Sequence, residues 1–337
     1  MKVMISHHYP PLRFLLALLA FSYSLPHTSA VAEPAVQSNV PSVIGDLRLH
    51  QLRSTVFGNT RVIRVLLPPG YKERANRKRR YPVLYLNDGQ NLFDTSTSVF
   101  NPLEWQADEA LDRLIKAREI GPLIVVGVDN AGRGGRANEY LPYPDADLRP
   151  PLPSPEGSKY PDFLLREVMP LINRQYRTKA GAEHAGLGGS SYGALIALYT
   201  VLTKPGTFGR LLLESPSLYI SDAQIIKAGR NIRRWPRRVY IGVGTNEYGR
   251  PECRPGDWNQ EVVQDVLKLK QGLEAAGLGA ERLQVVVEEC AVHDEAAWAK
   301  RLHAALKFLY GSPPHNNGMQ RTRKSAAPSS SKARARR

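Results

Sequence analysis

The stretch that decides the fold reads His184-Ala185-Gly186-Leu187-Gly188-Gly189-Ser190-Ser191-Tyr192-Gly193-Ala194-Leu195-Ile196-Ala197-Leu198-Tyr199-Thr200-Val201. A short strand-like run, His184–Leu187, gives way to a glycine–serine turn and then to the continuous apolar stretch Ala194–Val201, of helical length. Outward from it lie further short apolar or β-branched runs: Arg61–Leu67, Tyr81–Leu86, Leu123–Val128, Leu211–Glu214, Val239–Val243 and Leu283–Val287. Between them, Trp105–Lys116, Asp162–Tyr176, Gln260–Ala276 and Glu295–Tyr310 carry apolar residues at helical spacing, the last two stopping at Gly277 and Gly311. Strands alternating with helices predict an α/β fold, a mostly parallel central sheet with helices on both faces. The unbroken apolar run Leu123-Ile124-Val125-Val126 suits a strand covered on both sides. In such sheets, ligands bind beyond the carboxyl ends of the strands. The residues just after each strand are therefore the ones to examine.

After the first strand quoted comes Gly189-x-Ser191-x-Gly193. A strand-to-helix turn this sharp needs small residues two before and two after its apex. The apex hydroxyl then stands above the sheet, where the helix N-terminus favours developing negative charge. Ser191 is the predicted nucleophile. Ser190 would place Tyr192 at a flank, where a large side chain does not fit.

A serine hydroxyl needs a base, and in this strand–turn–helix setting the acid and then the histidine follow the serine in the chain. His7, His8 and His27 fall in the N-terminal leader, His315 in the C-terminal tail, and His50 and His184 precede Ser191. His303 lies within a helix. His293, on the loop after Leu283–Val287, remains as the base. The acid should follow Val239–Val243. Glu247 is the nearest carboxylate, with Glu252, Asp257 and Asp222 as alternatives. The loop Asn87-Asp88-Gly89-Gln90-Asn91-Leu92-Phe93 should supply the second oxyanion donor, giving the Gln90 and Tyr192 main-chain N–H groups as the pair. Asp88 and Asp94 could begin a metal site, but no histidine or third carboxylate is close in sequence, and no metal or organic cofactor is expected.

The chain has 337 residues, 42% apolar and 23% charged, which is ordinary globular usage. It has no internal repeat of twenty to fifty residues, and its two cysteines exclude a disulfide-dense scaffold or a multi-cysteine zinc site. Of the net charge of +15, seven positive charges lie after Gly311 and two in the first thirty-two residues, so the body is only mildly basic. A nucleic-acid partner is not expected. Lys2 and Arg13, the apolar run Phe14–Phe21 and the small residues Ala30-Val31-Ala32 predict a signal peptide over 1–32. The expectation is a periplasmic or secreted protein with no stable membrane anchor after cleavage. Its folded body would span 33–311 and its disordered basic tail 312–337. Export permits Cys253 and Cys290 to pair, tying the acid loop to the histidine loop.

Several further pieces occur in order: Leu66-Leu67-Pro68-Pro69-Gly70-Tyr71, Tyr85–Phe93, Trp105-Gln106-Ala107-Asp108-Glu109, Glu139-Tyr140, Glu214-Ser215-Pro216-Ser217, Gly244-Thr245-Asn246-Glu247, and His293-Asp294-Glu295 with Trp298. Together with the serine motif, the chain from Val56 to Gly311 resembles the Putative esterase family of α/β hydrolases. That family includes enterochelin, feruloyl and acetylxylan esterases, S-formylglutathione hydrolase and mycolyltransferases. Ala194 stands where many members have a second glycine, and Asp88-Gly89 where many have His-Gly. The resemblance implies an α/β-hydrolase fold and an exported serine esterase acting on a small-molecule ester, through Ser191, His293 and Glu247. Acyl transfer by the same residues, or a binding protein on an inactive hydrolase fold, are the alternatives. Trp105, Arg136 and Tyr140 are the candidate substrate contacts.

Overall fold

The computed structural model describes residues 42–311, apart from 100, 101, 231 and 233, together with the backbone of 31–32 and 36–37. The expected signal peptide and basic tail lie outside the described residues, except that Val31–Ala32 forms a short strand.

The strands are β1 (Val31–Ala32), β2 (Val36–Gln37), β3 (Asp46–Arg53), β4 (Thr60–Leu67), β5 (Val83–Asn87), β6 (Ile124–Val128), β7 (Ala185–Ser190), β8 (Arg210–Glu214), β9 (Arg238–Gly244) and β10 (Leu283–Glu288). They form one sheet in the order β1-β3-β4-β6-β5-β7-β8-β9-β10, with β2 also paired to β3. From β6 to β10 every neighbouring pair is parallel. The β3–β4 hairpin joins β6 antiparallel at one side. This is the α/β-hydrolase arrangement expected from the sequence, with every strand run found within three residues of its reading. The strand β3 is an addition. Its leucines point both ways, Leu47 into one core and Leu52 into the other.

The helices are α1 (Ala107–Lys116), α2 (Arg136–Tyr140), α3 (Tyr160–Phe163), α4 (Met169–Gln175), α5 (Tyr192–Thr203), α6 (Ile220–Gly229), α7 (Glu261–Ala275) and α8 (Glu295–Tyr310). A π-turn, Leu164–Val168, joins α3 to α4 just before Pro170, whose missing N–H breaks the ordinary ladder. Asp294 caps α8 by accepting the Ala297 N–H at 2.8 Å. No helix among the described residues is long and apolar enough to cross a membrane.

Strand alternation sends side chains to two cores. Val83, Tyr85, Ile124 and Val126 pack with α5 and α7 residues such as Leu195 and Val266 on one face. Leu84, Leu86 and Val125 pack with Leu111, Leu114, Trp298 and Leu306 of α1 and α8 on the other. Both cores are needed because the parallel strands are buried on both faces.

A buried charged cluster ties α8 to the sheet. Arg301 of α8 donates to Glu214 of β8 at 2.8 Å and to Glu288 of β10 at 2.9 Å, and so spans β9. Burial pushes the Glu214 carboxyl up to about 7, from 4.5 for an unperturbed glutamate. The folded protein therefore keeps a proton that the unfolded chain releases sooner. The stabilisation is complete below pH 4.5 and is lost as pH rises through 7. Glu214→Gln is expected to flatten the decline of the urea midpoint between about pH 5 and 8. An equally steep decline in the variant would show that Glu214 is ionised throughout.

Candidate active site

Five strands of the parallel run end at the same edge of the sheet. Asp88 follows β5, Ser191 follows β7, Ser215 follows β8, Glu247 lies in the loop after β9 and His293 in the loop after β10. Parallel pairing alone gathers these residues, which are far apart in the chain.

Ser191 by itself makes the turn between β7 and α5. Its φ is 55° and its ψ −127°, a strained conformation for a residue with a side chain. Four main-chain bonds hold it. Its N–H donates to Glu214 O at 3.0 Å, and its carbonyl accepts from Ala194 and Leu195 at 3.1 Å and from Ser217 at 3.3 Å. The flanking residues must be glycine. A Cβ at Gly189 would stand 2.8 Å from the Gly193 carbonyl carbon, and one at Gly193 would stand 2.8 Å from Asp88 Oδ2.

His293 Nδ1 lies 2.6 Å from Glu247 Oε2. Glu247 is buried, and its Oε1 accepts from the Gly244 N–H at 2.6 Å and the Ser215 hydroxyl at 2.7 Å. A carboxylate beside Nδ1 places the imidazole proton there and leaves the Nε2 lone pair free to accept. The other acid candidates take no part in this pair: Glu252 and Asp222 are exposed, and Asp257 accepts from Asn259 in its own turn. Trp298 stands edge-on to His293, 5.2 Å between ring centres.

Ser191 and His293 share a cavity of about 210 Å³ with Ser190, Asp88, Asn91, Arg136, Glu295 and Trp298. That is less than a drug-sized ligand fills, so the cavity can enclose only the part of a molecule around the reacting bond. The Ser191 hydroxyl lies 3.4 Å from that of Ser217 and makes no hydrogen bond to His293. Such looseness is common before a substrate draws the groups together. Tyr192 opens α5, so its N–H has no carbonyl within the helix. Gln90 sits in the short 3-10 turn Gly89–Asn91, one residue too early to bond within it.

The structure corrects two of the three expected substrate contacts. Trp105 is 1% exposed and packs on Trp298 from behind the cavity, 5.9 Å between ring centres. Tyr140 is wholly buried, and its hydroxyl accepts the Asp88 N–H at 3.2 Å. Both aromatic side chains went to the core because the largest apolar surface gains most from burial. Arg136 does reach the cavity wall, but its fork is bound to Asp88 by two bonds of 2.8 Å. Burial alone would pull its guanidinium down, yet the Asp88 carboxylate outweighs this and leaves it raised. The rings of Tyr140 and Tyr192 flank it at 5.3 and 5.4 Å. Arg136 thus holds the turn at Asp88, whose φ is 58°. Asn91 and Glu295, paired at 3.0 Å within the cavity wall, were not singled out as site residues from the sequence. Asn91 lies in the loop after β5, and Glu295 opens α8 beyond the loop after β10.

Cys253 and Cys290 are disulfide-bonded. The bond joins the loop that carries Glu247 to the turn before His293. Glu289 adds a second tie, accepting from Trp258 Nε1 at 3.0 Å and from the Gly256 N–H at 3.1 Å.

The sequence profile of the family described as Putative esterase matches residues 54–309. The chain is 25% identical over 260 residues to the uncharacterized protein YbbA of Bacillus subtilis, covering 75% of this chain and 94% of that one. It is 27% identical over 291 residues to an endo-1,4-beta-xylanase/feruloyl esterase of Xylanibacter ruminicola, covering 84% of this chain and 34% of that longer protein. Among solved structures, the siderophore hydrolase EstB of Aspergillus nidulans superposes with a TM-score of 0.60 at 20% identity, covering 84% of this chain and 98% of that one. That last likeness concerns the fold.

The disulfide spans 37 residues of sequence. Cys253→Ser with Cys290→Ser is expected to lower unfolding free energy by about 3–4 kcal/mol in the chain-entropy account. Urea titration of the oxidised protein and the double variant measures it. A difference under about 1 kcal/mol would mean that the two loops are already held by their hydrogen bonds.

Proposed function

The chain belongs to the Putative esterase family, and on that premise we propose that it is a serine hydrolase cleaving carboxylic esters of small molecules through an acyl-enzyme. The observation that carries the reading is the His293–Glu247 pair at 2.6 Å, whose histidine lines one cavity with a serine held at positive φ.

In this reading, His293 Nε2 takes the Ser191 proton as Oγ attacks the ester carbonyl. Glu247 holds the Nδ1 tautomer and stabilises the imidazolium. The Gln90 and Tyr192 N–H groups receive the oxyanion, with the first turn of α5 adding its dipole. His293 returns the proton to the leaving alcohol, and the same base then activates water to release the acid. Feruloyl and siderophore esters, named for relatives, give the first natural substrates to screen. The disulfide and the apolar leader Phe14–Phe21 support export to the periplasm or the exterior.

Hydrolysis of p-nitrophenyl acetate tests the proposal. Ser191→Ala and His293→Ala should each lower kcat by at least about a thousandfold. Glu247→Gln should lower it by about 10³–10⁴-fold, since the amide disturbs the tautomer. A fluorophosphonate should label the wild type at Ser191 alone. Folded protein with no turnover and no labelling would return the chain to the binding-protein reading.

A further inference from the structure

The segment Glu214-Ser215-Pro216-Ser217, at the carboxyl end of β8, touches both halves of the site. Its main chain braces the nucleophile: Glu214 O accepts the Ser191 N–H at 3.0 Å, and Ser217 N–H donates to Ser191 O at 3.3 Å. Its side chains reach the acid. The Ser215 hydroxyl donates to Glu247 Oε1 at 2.7 Å and accepts the Trp298 indole N–H at 3.0 Å. Ser215 is wholly buried and has a φ of 42°, where glycine would be the unstrained choice. A serine kept at such a position, with its hydroxyl engaged on both sides, does more than make a turn.

We propose that Ser215 and Trp298 are positioning residues, a relay from the indole N–H through the Ser215 hydroxyl that fixes the Glu247 carboxylate for His293. The inference rests on the hydrolase reading above. The indole occupies a Ser215 lone pair, so the hydroxyl proton points away from it, toward Oε1. Oε1 is then held by two donors, Ser215 and Gly244, and Oε2 is left facing Nδ1. Trp298 also stands edge-on to the imidazole, so one side chain sets both partners of the pair.

The charged surroundings explain why the carboxylate needs donors. As Glu214 ionises, above about pH 7, it acts on Glu247 from β8 as a like charge, with Arg301 of α8 and Glu288 of β10 bound behind it. His293 shares the cavity wall with the Asp88–Arg136 pair and Glu295. Removing the Ser215 hydroxyl withdraws a donor from the charged form of Glu247 and makes that carboxylate more basic. A more basic carboxylate holds the imidazolium more firmly. The acid limb of the kcat/KM profile therefore moves to higher pH.

The test is the pH profile, kcat and KM for p-nitrophenyl acetate in the wild type, Ser215→Ala, Ser215→Gly and Trp298→Phe. Glycine takes a φ of 42° without strain, so Ser215→Gly keeps the turn while removing the side chain, and Ser215→Ala removes the hydroxyl alone. Both Ser215 variants should lose about tenfold or more in kcat and move the acid limb up by about one pH unit. KM should stay within about twofold. Trp298→Phe should move the limb the same way by less, because the hydroxyl remains but is no longer aimed. An unmoved acid limb in Ser215→Gly overturns the proposal, whatever happens to kcat. If Ser191→Ala is inactive at the same time, only the positioning role falls. Turnover surviving in Ser191→Ala would remove the hydrolase reading itself.

Discussion

The site depends on a chain reversal made by one residue. Between β7 and α5 there is no loop: Ser191 takes the whole change of direction at a φ of 55°. Such a conformation persists only where the surroundings over-determine it. Here Glu214 of β8, Ser217 and the first turn of α5 each bond the Ser191 main chain. The glycines at 189 and 193 are consequences of the same constraint, since neither position has room for a Cβ. The hydroxyl is raised above the sheet because the backbone has nowhere else to put it.

Several of the buried charges join separate elements of the fold. Arg301 spans β8 and β10. Arg61 binds Glu139 beside the rings of Phe57 and Phe163. Arg136 binds Asp88 at the turn after β5. Ion pairs like these add little net stability over a well-packed apolar replacement. Their geometry is directional, however, and a bidentate fork fixes orientation in a way that leucines cannot. The loops of the candidate site carry the Arg136–Asp88 fork and the disulfide, where local order matters more than total stability.

The two aromatic residues assigned to the substrate show where reading along the chain fails. Trp105 and Tyr140 sit next to elements that build the site, and aromatic side chains near a mouth invite that assignment. Whether such a ring faces the ligand or the core depends on the packing angle of neighbouring helices, which sequence position does not encode. Tyr140 contributes through its hydroxyl, behind Asp88, and Trp105 backs the wall that Trp298 forms. The short helices α2 and α6 were likewise illegible. Five residues of α2 carry too few turns for a period, and α6 contains left-handed residues at Ser221, Asp222 and Ala223 that break it.

By itself, the sequence determined the layer order, the turn at Ser191 and the short set of residues from which a site could be drawn. These are local matters: period, glycine placement and the position of a residue after a strand. It also narrowed the histidines to one, because the others fall in the leader or tail, precede Ser191 or lie within a helix. Only the tertiary structure decided among Glu247, Glu252, Asp257 and Asp222. A carboxylate becomes the partner of His293 through a distance of 2.6 Å across two loops, and no pattern within either loop contains that distance. The same holds for Ser215 and Trp298, which are 83 residues apart and meet because β8 and α8 pack together.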